Sequence, residues 1–316
     1  MKHAAILLAG ALALAPGAAL ADSYGFSSNG LSFPFASAVA KGFADAAKAA
    51  GQTAIVLDAK GDVLKQTNDI DDLIAQHVKG IAVQPNDSAI AVAWVDKAAA
   101  AGIPIVASAS MVGDTKTRKI DDVYGKLAAL VTQQEVAAGK VDGLLAAKLL
   151  KARGVKTAKV AVIEGAAGFA EVVQRTQGFE QGMKQAGQDF KIVASQPGDW
   201  TSEKGEAACE NILQSNPDVD LLFNQSDDMV VGCARAAEAA GSKALLIGFG
   251  GSKLAIQAIK DGKVDGTVCY KPEEIGKISF NVLYDAAHGK PHHKEFITYP
   301  TPGVSKENVS ECVGQW

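Results

Sequence analysis

Asp227 and Asp228 stand side by side in FNQSDDMVVG, just after the apolar run VDLLF and at the front of a helical pattern. Adjacent carboxylates in that position suit three tasks. They can share a proton in acid–base catalysis, help to hold a cation, or accept N–H bonds where a helix starts and oppose the positive end of its dipole. Catalysis needs a second group in reach, and the neighbouring residues supply none. The chain also carries no G-x-S-x-G elbow and no H-E-x-x-H. Capping by Asp227 or Asp228 is therefore the expectation.

Other chemistry-bearing stretches reduce to structural roles in the same way. GFGGSK, from Gly248 to Lys253, lacks the third glycine of a dinucleotide fingerprint, and GAAG, from Gly165 to Gly168, lacks the Lys-Ser/Thr of a phosphate loop. Both are expected to be tight turns. His288, His292 and His293 lie in the Gly/Pro-punctuated loop HGKPHHK, where solvated imidazoles are expected. Cys209, Cys233, Cys269 and Cys312 contain no C-x-x-C pair, so disulfides or buried thiols are expected and three pairings stay open. Neither a metal nor a cofactor is expected.

The elements that must position these residues follow from hydrophobic period. Residues 1–21 have a basic start, an apolar stretch too short to span a bilayer and the A-x-A sequence Ala19-Leu20-Ala21. A leader cleaved after Ala21 is expected, and with it an exported, soluble, periplasmic chain in which disulfides persist. The formal charge is -4, and Lys and Arg are scattered, which argues against nucleic acid as a partner. TAIVLDA, GIAVQP and IPIVASAS read as strands separated by the helical patterns VLKQTNDIDDLIAQHV and AIAVAWVDKAAAAG. After Gln133 the βα rhythm restarts, with strands at KVAVIEG, FKIVASQ, VDLLFNQ, ALLIGFG and GTVCY. Short continuous Val/Ile/Leu runs are the pattern of parallel strands covered on both faces, so two doubly wound α/β lobes are predicted. In such sheets ligands bind beyond the carboxyl ends of the strands. The loops to watch are FSSNG, VQPND, ASAS, IEGAAG, SQPGDW, FNQSDD, GFGGS and CYKP.

The order of FPFASAVAKGFADAAKAAG, QPNDS, AGIPIVASA, ASQPGDW, FNQSDDMVVGCARAAEAAG, LLIGFGGS and DGKVDGTV resembles the ribose-type periplasmic sugar-binding proteins of ABC transporters. That resemblance implies the class I periplasmic binding protein fold, with a three-segment hinge near Gln133, Tyr270 and Phe296. The lobes would be 22–132 plus 271–295 and 133–270 plus 296–316. Gene regulators of the lactose-repressor type share that core but carry an N-terminal helix-turn-helix, and the expected leader argues against them. Carried over by position, several sugar-gripping residues of the family are replaced here. An Asp-Arg pair becomes Ala109 and Ser110, an arginine becomes Val173, an asparagine becomes Ser226, and an aspartate becomes Gly250. A glutamine becomes Tyr270, and another asparagine becomes Gln84. Loss of selection for ribose itself, with poor ribose binding, is expected.

The resemblance leaves Phe33, Phe35 and Trp200 as aromatic walls. The polar set is Ser28, Asn29, Gln84, Ser108, Ser110, Glu164 and Ser226, with Asp227 partly engaged as a cap. In this fold the helices carrying Cys209 and Cys233 pack side by side, which implies the pairs Cys209–Cys233 and Cys269–Cys312. The implied function is that of a non-enzymatic, monomeric solute-binding protein. It would close its lobes on a small sugar-like or polyol ligand for a membrane permease. A cleft remade for an amine or aromatic ligand, or presentation to a membrane chemosensor, is the alternative, and an exported enzyme is a remote one.

Overall fold

The computed structural model describes residues 21–316; residues 1–20 of the expected leader lie outside the described residues. The first lobe is laid down by β1 (Ser23–Ser28), α1 (Pro34–Ala49), β2 (Thr53–Asp58), α2 (Val63–Ala75), β3 (Ile81–Val83), α3 (Ala91–Ala100), β4 (Ile105–Ser108) and β5 (Ala129–Val131). The second lobe follows as α4 (Glu135–Ala152), β6 (Thr157–Glu164), α5 (Ala170–Gln185), β7 (Asp189–Pro197), α6 (Ser202–Ser215), β8 (Leu221–Asn224), α7 (Asp227–Ala239), β9 (Leu245–Ile247), α8 (Lys253–Lys260) and β10 (Gly266–Val268). The chain then returns to the first lobe with α9 (Pro272–Ala287) and β11 (Glu295–Ile297), and ends in the second with β12 (Gly303–Ser305).

Each lobe holds a six-stranded sheet, ordered β11-β5-β4-β3-β1-β2 and β12-β10-β9-β8-β6-β7. Pairing is parallel except for β12, which runs antiparallel to β10. The two doubly wound lobes are thus as predicted. Central strands β3, β4 and β8 are buried along their whole length, because helices cover both faces. TAIVLDA, expected to be buried, is instead the edge strand β2 and is half-exposed, since nothing pairs with its outer side. Phe296 lies inside β11 of the first sheet, so the third crossing falls after Ile297 and before Gly303.

Helix pairs in the two lobes approach to backbone contact through glycine. On α4 and α5, a Cβ at Gly143 would collide with the Phe179 carbonyl, and one at Gly182 with the Lys140 carbonyl. On α1 and α9, a Cβ at Gly276 would collide with the Val39 carbonyl. Close approach of this kind needs the missing side chain. Helices α6 and α7 are joined by Cys209–Cys233, and Cys269–Cys312 ties the chain's last segment to the end of β10, the two pairs expected. No helix among the described residues is long and apolar enough to cross a membrane.

Candidate functional site

A cavity of about 300 Å³ lies between the lobes, at the carboxyl ends of both sheets. From the first lobe, the β1–α1 loop brings Asn29 and Phe33, and the first turn of α1 adds Phe35. The β3–α3 loop brings Gln84 and Asn86. Buried Gln66 of α2 fixes that loop by donating to the Gln84 carbonyl at 2.8 Å and accepting from the Asn86 N–H at 2.8 Å. In these three amides Asn29 Oδ1, Gln84 Oε1 and Asn86 Nδ2 are buried without a protein partner.

The second lobe supplies most of the charge. Arg175 of α5 reaches the cavity and is held by Glu135, the first residue of α4: its Nε and Nη2 donate to the two carboxylate oxygens at 2.7 and 3.2 Å. Its Nη1 donates to the Gln225 carbonyl. The guanidinium lies over Phe249 at 4.4 Å and near Trp200 at 5.2 Å, so its faces meet aromatic rings and the N–H groups left over point along the plane. Glu135 also accepts from the Tyr270 hydroxyl at 2.7 Å and from Gln133 Nε2 at 2.6 Å. Two of the hinge crossings are therefore bonded to the carboxylate that positions Arg175. Trp200 sits at φ 64 directly after Asp199 at φ 47, a left-handed pair that lays the indole on Gly165, where any Cβ would strike the ring. The Ser110 hydroxyl donates to Glu171 at 2.6 Å, a bond from one lobe to the other, so the lobes are in contact.

Of the expected residues, Asn29, Phe33, Phe35, Gln84, Ser110, Trp200, Ser226, Asp227 and Tyr270 line this cavity. Three lie elsewhere. Ser28 is fully buried below the cavity and accepts from the Gly30 N–H at 3.3 Å. Ser108 is spent on Ser279, hydroxyl to hydroxyl at 2.8 Å. Glu164 accepts from Ser195 of the neighbouring strand at 2.6 Å and does not line the cavity.

The capping expectation shifts by one residue. Ser226 is the N-cap of α7, accepting from the Met229 N–H, while Asp227 turns inward to the Ser252 N–H at 2.5 Å and the Thr267 hydroxyl at 2.7 Å. Nor is the cleft short of charge. Val173 is 70% exposed, but Arg175 two positions later is buried in the wall, together with the unexpected Glu135 and Glu171, and half-buried Trp316 joins them. Glu171 and Arg175 are four apart on one helix face, a spacing that brings both to the cavity, although they bond to Ser110 and Glu135 and not to each other.

Burial sets the protonation of the acidic groups. It raises Asp227 and Asp228 to about 6, with the bonds from Thr267 and Ser252 opposing it at Asp227. Burial, then the Glu135 charge, raises Glu171. A carboxyl raised on folding contributes stability that is fully present below its unfolded value and lost as pH rises through its folded one. Melting measured at constant salt should therefore show a protein more stable near pH 5 than at pH 7. Asp228→Asn should recover up to about 3 kcal/mol at pH 7, the size of the shift from 3.8 to about 6 at about 1.4 kcal/mol per pH unit, less what solvent screening removes, and should flatten the slope between pH 4 and 6. An unchanged slope in the variant would contradict the assignment. Among the described residues no group of three potential metal ligands occurs.

Residues 24–291 match the family model described as periplasmic binding protein domain. The chain is 35% identical over 270 residues to the ribose import binding protein of Bacillus subtilis, covering 85% of this chain and 83% of that one. It is 32% identical over 279 residues to the D-allose-binding periplasmic protein of Escherichia coli, covering 87% and 88%. In structure it is similar to an ABC transporter solute-binding protein from Mycobacterium smegmatis with bound glycerol, at TM-score 0.82 and 27% identity, covering 94% of this chain and 98% of that one. A solute-binding protein from Bacillus halodurans with bound myo-inositol is similar at TM-score 0.82 and 25% identity, with the same coverage.

Proposed function

The chain belongs to the periplasmic binding protein domain family, and from that premise we propose that it is the solute-binding component of an ABC importer, closing its lobes on a small sugar or polyol. The observation that carries the reading is the set of three first-lobe amides, each on a residue that lines the cavity and each with a buried polar atom left without a protein partner. Leaving such a group unsatisfied costs about 1–3 kcal/mol, which a ligand hydroxyl recovers by donating or accepting as each amide requires. Opposite them, the remaining N–H groups of Arg175 suit hydroxyl oxygens. Phe33, Phe35 and Trp200 present faces and edges to the C–H surface of a ring.

Closure follows from where those groups sit. A ligand held by Asn29, Gln84 and Asn86 on one side and Arg175 on the other gains its full set of contacts only when the lobes meet, so binding draws the population toward the closed form. The protein works in the periplasm after loss of its leader, as a monomer. A membrane permease reads the closed form, and no bond in the solute is made or broken.

A melting panel of D-ribose, D-allose, myo-inositol, glycerol, amines and aromatics tests this. A sugar or polyol at a hundredfold excess over Kd should add about 2.7 kcal/mol to stability. The shift should largely disappear in Asn86→Ala. Shifts confined to amines or aromatics would overturn the reading.

A further inference from the structure

The segment after Cys312 touches both lobes. On the second lobe, Cys312 is bonded to Cys269, the Lys253 N–H at the start of α8 donates to the Trp316 carbonyl at 2.8 Å, and Gly314 lies against Lys253. On the first lobe, Gln315 Oε1 accepts from the Glu273 N–H of α9 at 3.0 Å, and the Trp316 ring meets Phe35 edge-on, centroids 5.6 Å apart. The ring also forms part of the cavity wall.

The second lobe is shaped to take this segment. Gly250 and Gly251 both sit at positive φ, 147 and 76. A Cβ on Gly250 would come within 2.8 Å of the Trp316 ring, and one on Gly251 within 2.7 Å of Cys312 Sγ. Gly250 is the position where the resemblance places an aspartate. Here the Trp316 indole lies against that position, beside the Asp227 carboxylate.

We propose that residues 313–316, stapled by Cys269–Cys312, form a clasp that sits on the second lobe, closes against Phe35 and Glu273 of the first, and supplies Trp316 as a ligand-facing wall. The inference rests on the cleft being the sugar or polyol site. Its consequence is that affinity depends on a segment outside the strand-end loops, and on a disulfide that touches no ligand.

Amide exchange by NMR and calorimetry together test it on three proteins: wild type, Trp316→Ala, and Cys269→Ser/Cys312→Ser. In wild type saturated with the sugar or polyol that binds it, the Lys253 and Glu273 amides should exchange slowly, and both should exchange at least tenfold faster in the double-serine protein. Affinity should fall at least tenfold in both variants. Trp316→Ala keeps the Lys253 bond to the Trp316 carbonyl, so in it the Lys253 amide should stay slow, which separates loss of the ring from loss of the anchor. Affinities within twofold of wild type, or amide rates unchanged without the disulfide, would overturn the clasp. Should D-ribose, D-allose, myo-inositol and glycerol all fail to bind wild type, the sugar reading fails on its own. The ligand-free Glu273 amide then decides the clasp: slow in wild type and fast in the double-serine protein supports it, and fast in both overturns it.

Discussion

Arg175→Met is expected to weaken sugar binding by at least a hundredfold and to destabilise the second lobe by about 3–5 kcal/mol, the usual cost of removing one partner from a buried ion pair. Arg175 and Glu135 are both buried, 9% and 1% exposed, and the guanidinium is the cation bonded to that carboxylate. Without it Glu135 keeps only Tyr270 and Gln133, neither of which carries charge. The two losses can be separated. Adding Glu135→Gln removes the stranded charge, so the double variant should regain most of the stability and none of the affinity, as read by urea unfolding and calorimetry. A single variant that still binds within threefold of wild type would show that Arg175 is structural and that the ligand is gripped elsewhere.

Gly182→Leu should have the second large effect. Its Cβ would run into the Lys140 carbonyl and the Leu144 N–H across the α4–α5 contact, and backbone on that side cannot yield as a side-chain tip would. Overpacking at such a site typically costs about 1–3 kcal/mol, and contact with main chain places this case at the upper end. A loss near 3 kcal/mol lowers melting by roughly 6–12 °C in a domain of this size. Because α4 carries Glu135 and α5 carries Glu171 and Arg175, separating the helices should also reduce affinity, although no residue of the cavity has been changed. A leucine variant that melts within 2 °C of wild type would contradict the tight packing.

The alternating strand and helix patterns could be read because long amphipathic helices and short apolar runs differ in period, and the parallel order follows from that alternation. Of the three-residue strands, β3, β9 and β10 were legible inside longer apolar runs, and β5, β11 and β12 were not. β5, β11 and β12 are too short to show a period, and their pairing is decided by neighbours distant in the chain. The half-exposed edge position of TAIVLD has the same cause, since an apolar run does not say which strand will lack a partner.

At the site, the strand-end loops carry Asn29, Gln84, Asn86 and Trp200 because topology sends those loops to the cleft, whereas Phe33 and Phe35 were indicated by the family resemblance. Which side chain of a loop or first helical turn faces inward depends on helix phase and on one-residue shifts. Hence Ser226 rather than Asp227 is the cap, Arg175 rather than Val173 is the wall, and Glu164 bonds to Ser195 instead of the cavity. Trp316 had no signal in spacing beyond the cysteine four residues before it. Only the disulfide and the paired glycines at 250 and 251 show where it goes.

The account stands on the cleft being a site for a small polyhydroxylated solute that is bound and not transformed. Calorimetric titration of the purified protein with D-ribose, D-allose, myo-inositol and glycerol, followed by mass analysis of the recovered solute, tests that most directly. The account predicts one-to-one binding of at least one of the four at micromolar Kd or tighter, lost in Arg175→Met, with the solute recovered unchanged. Absence of binding by all four, or recovery of a chemically altered solute, would contradict it.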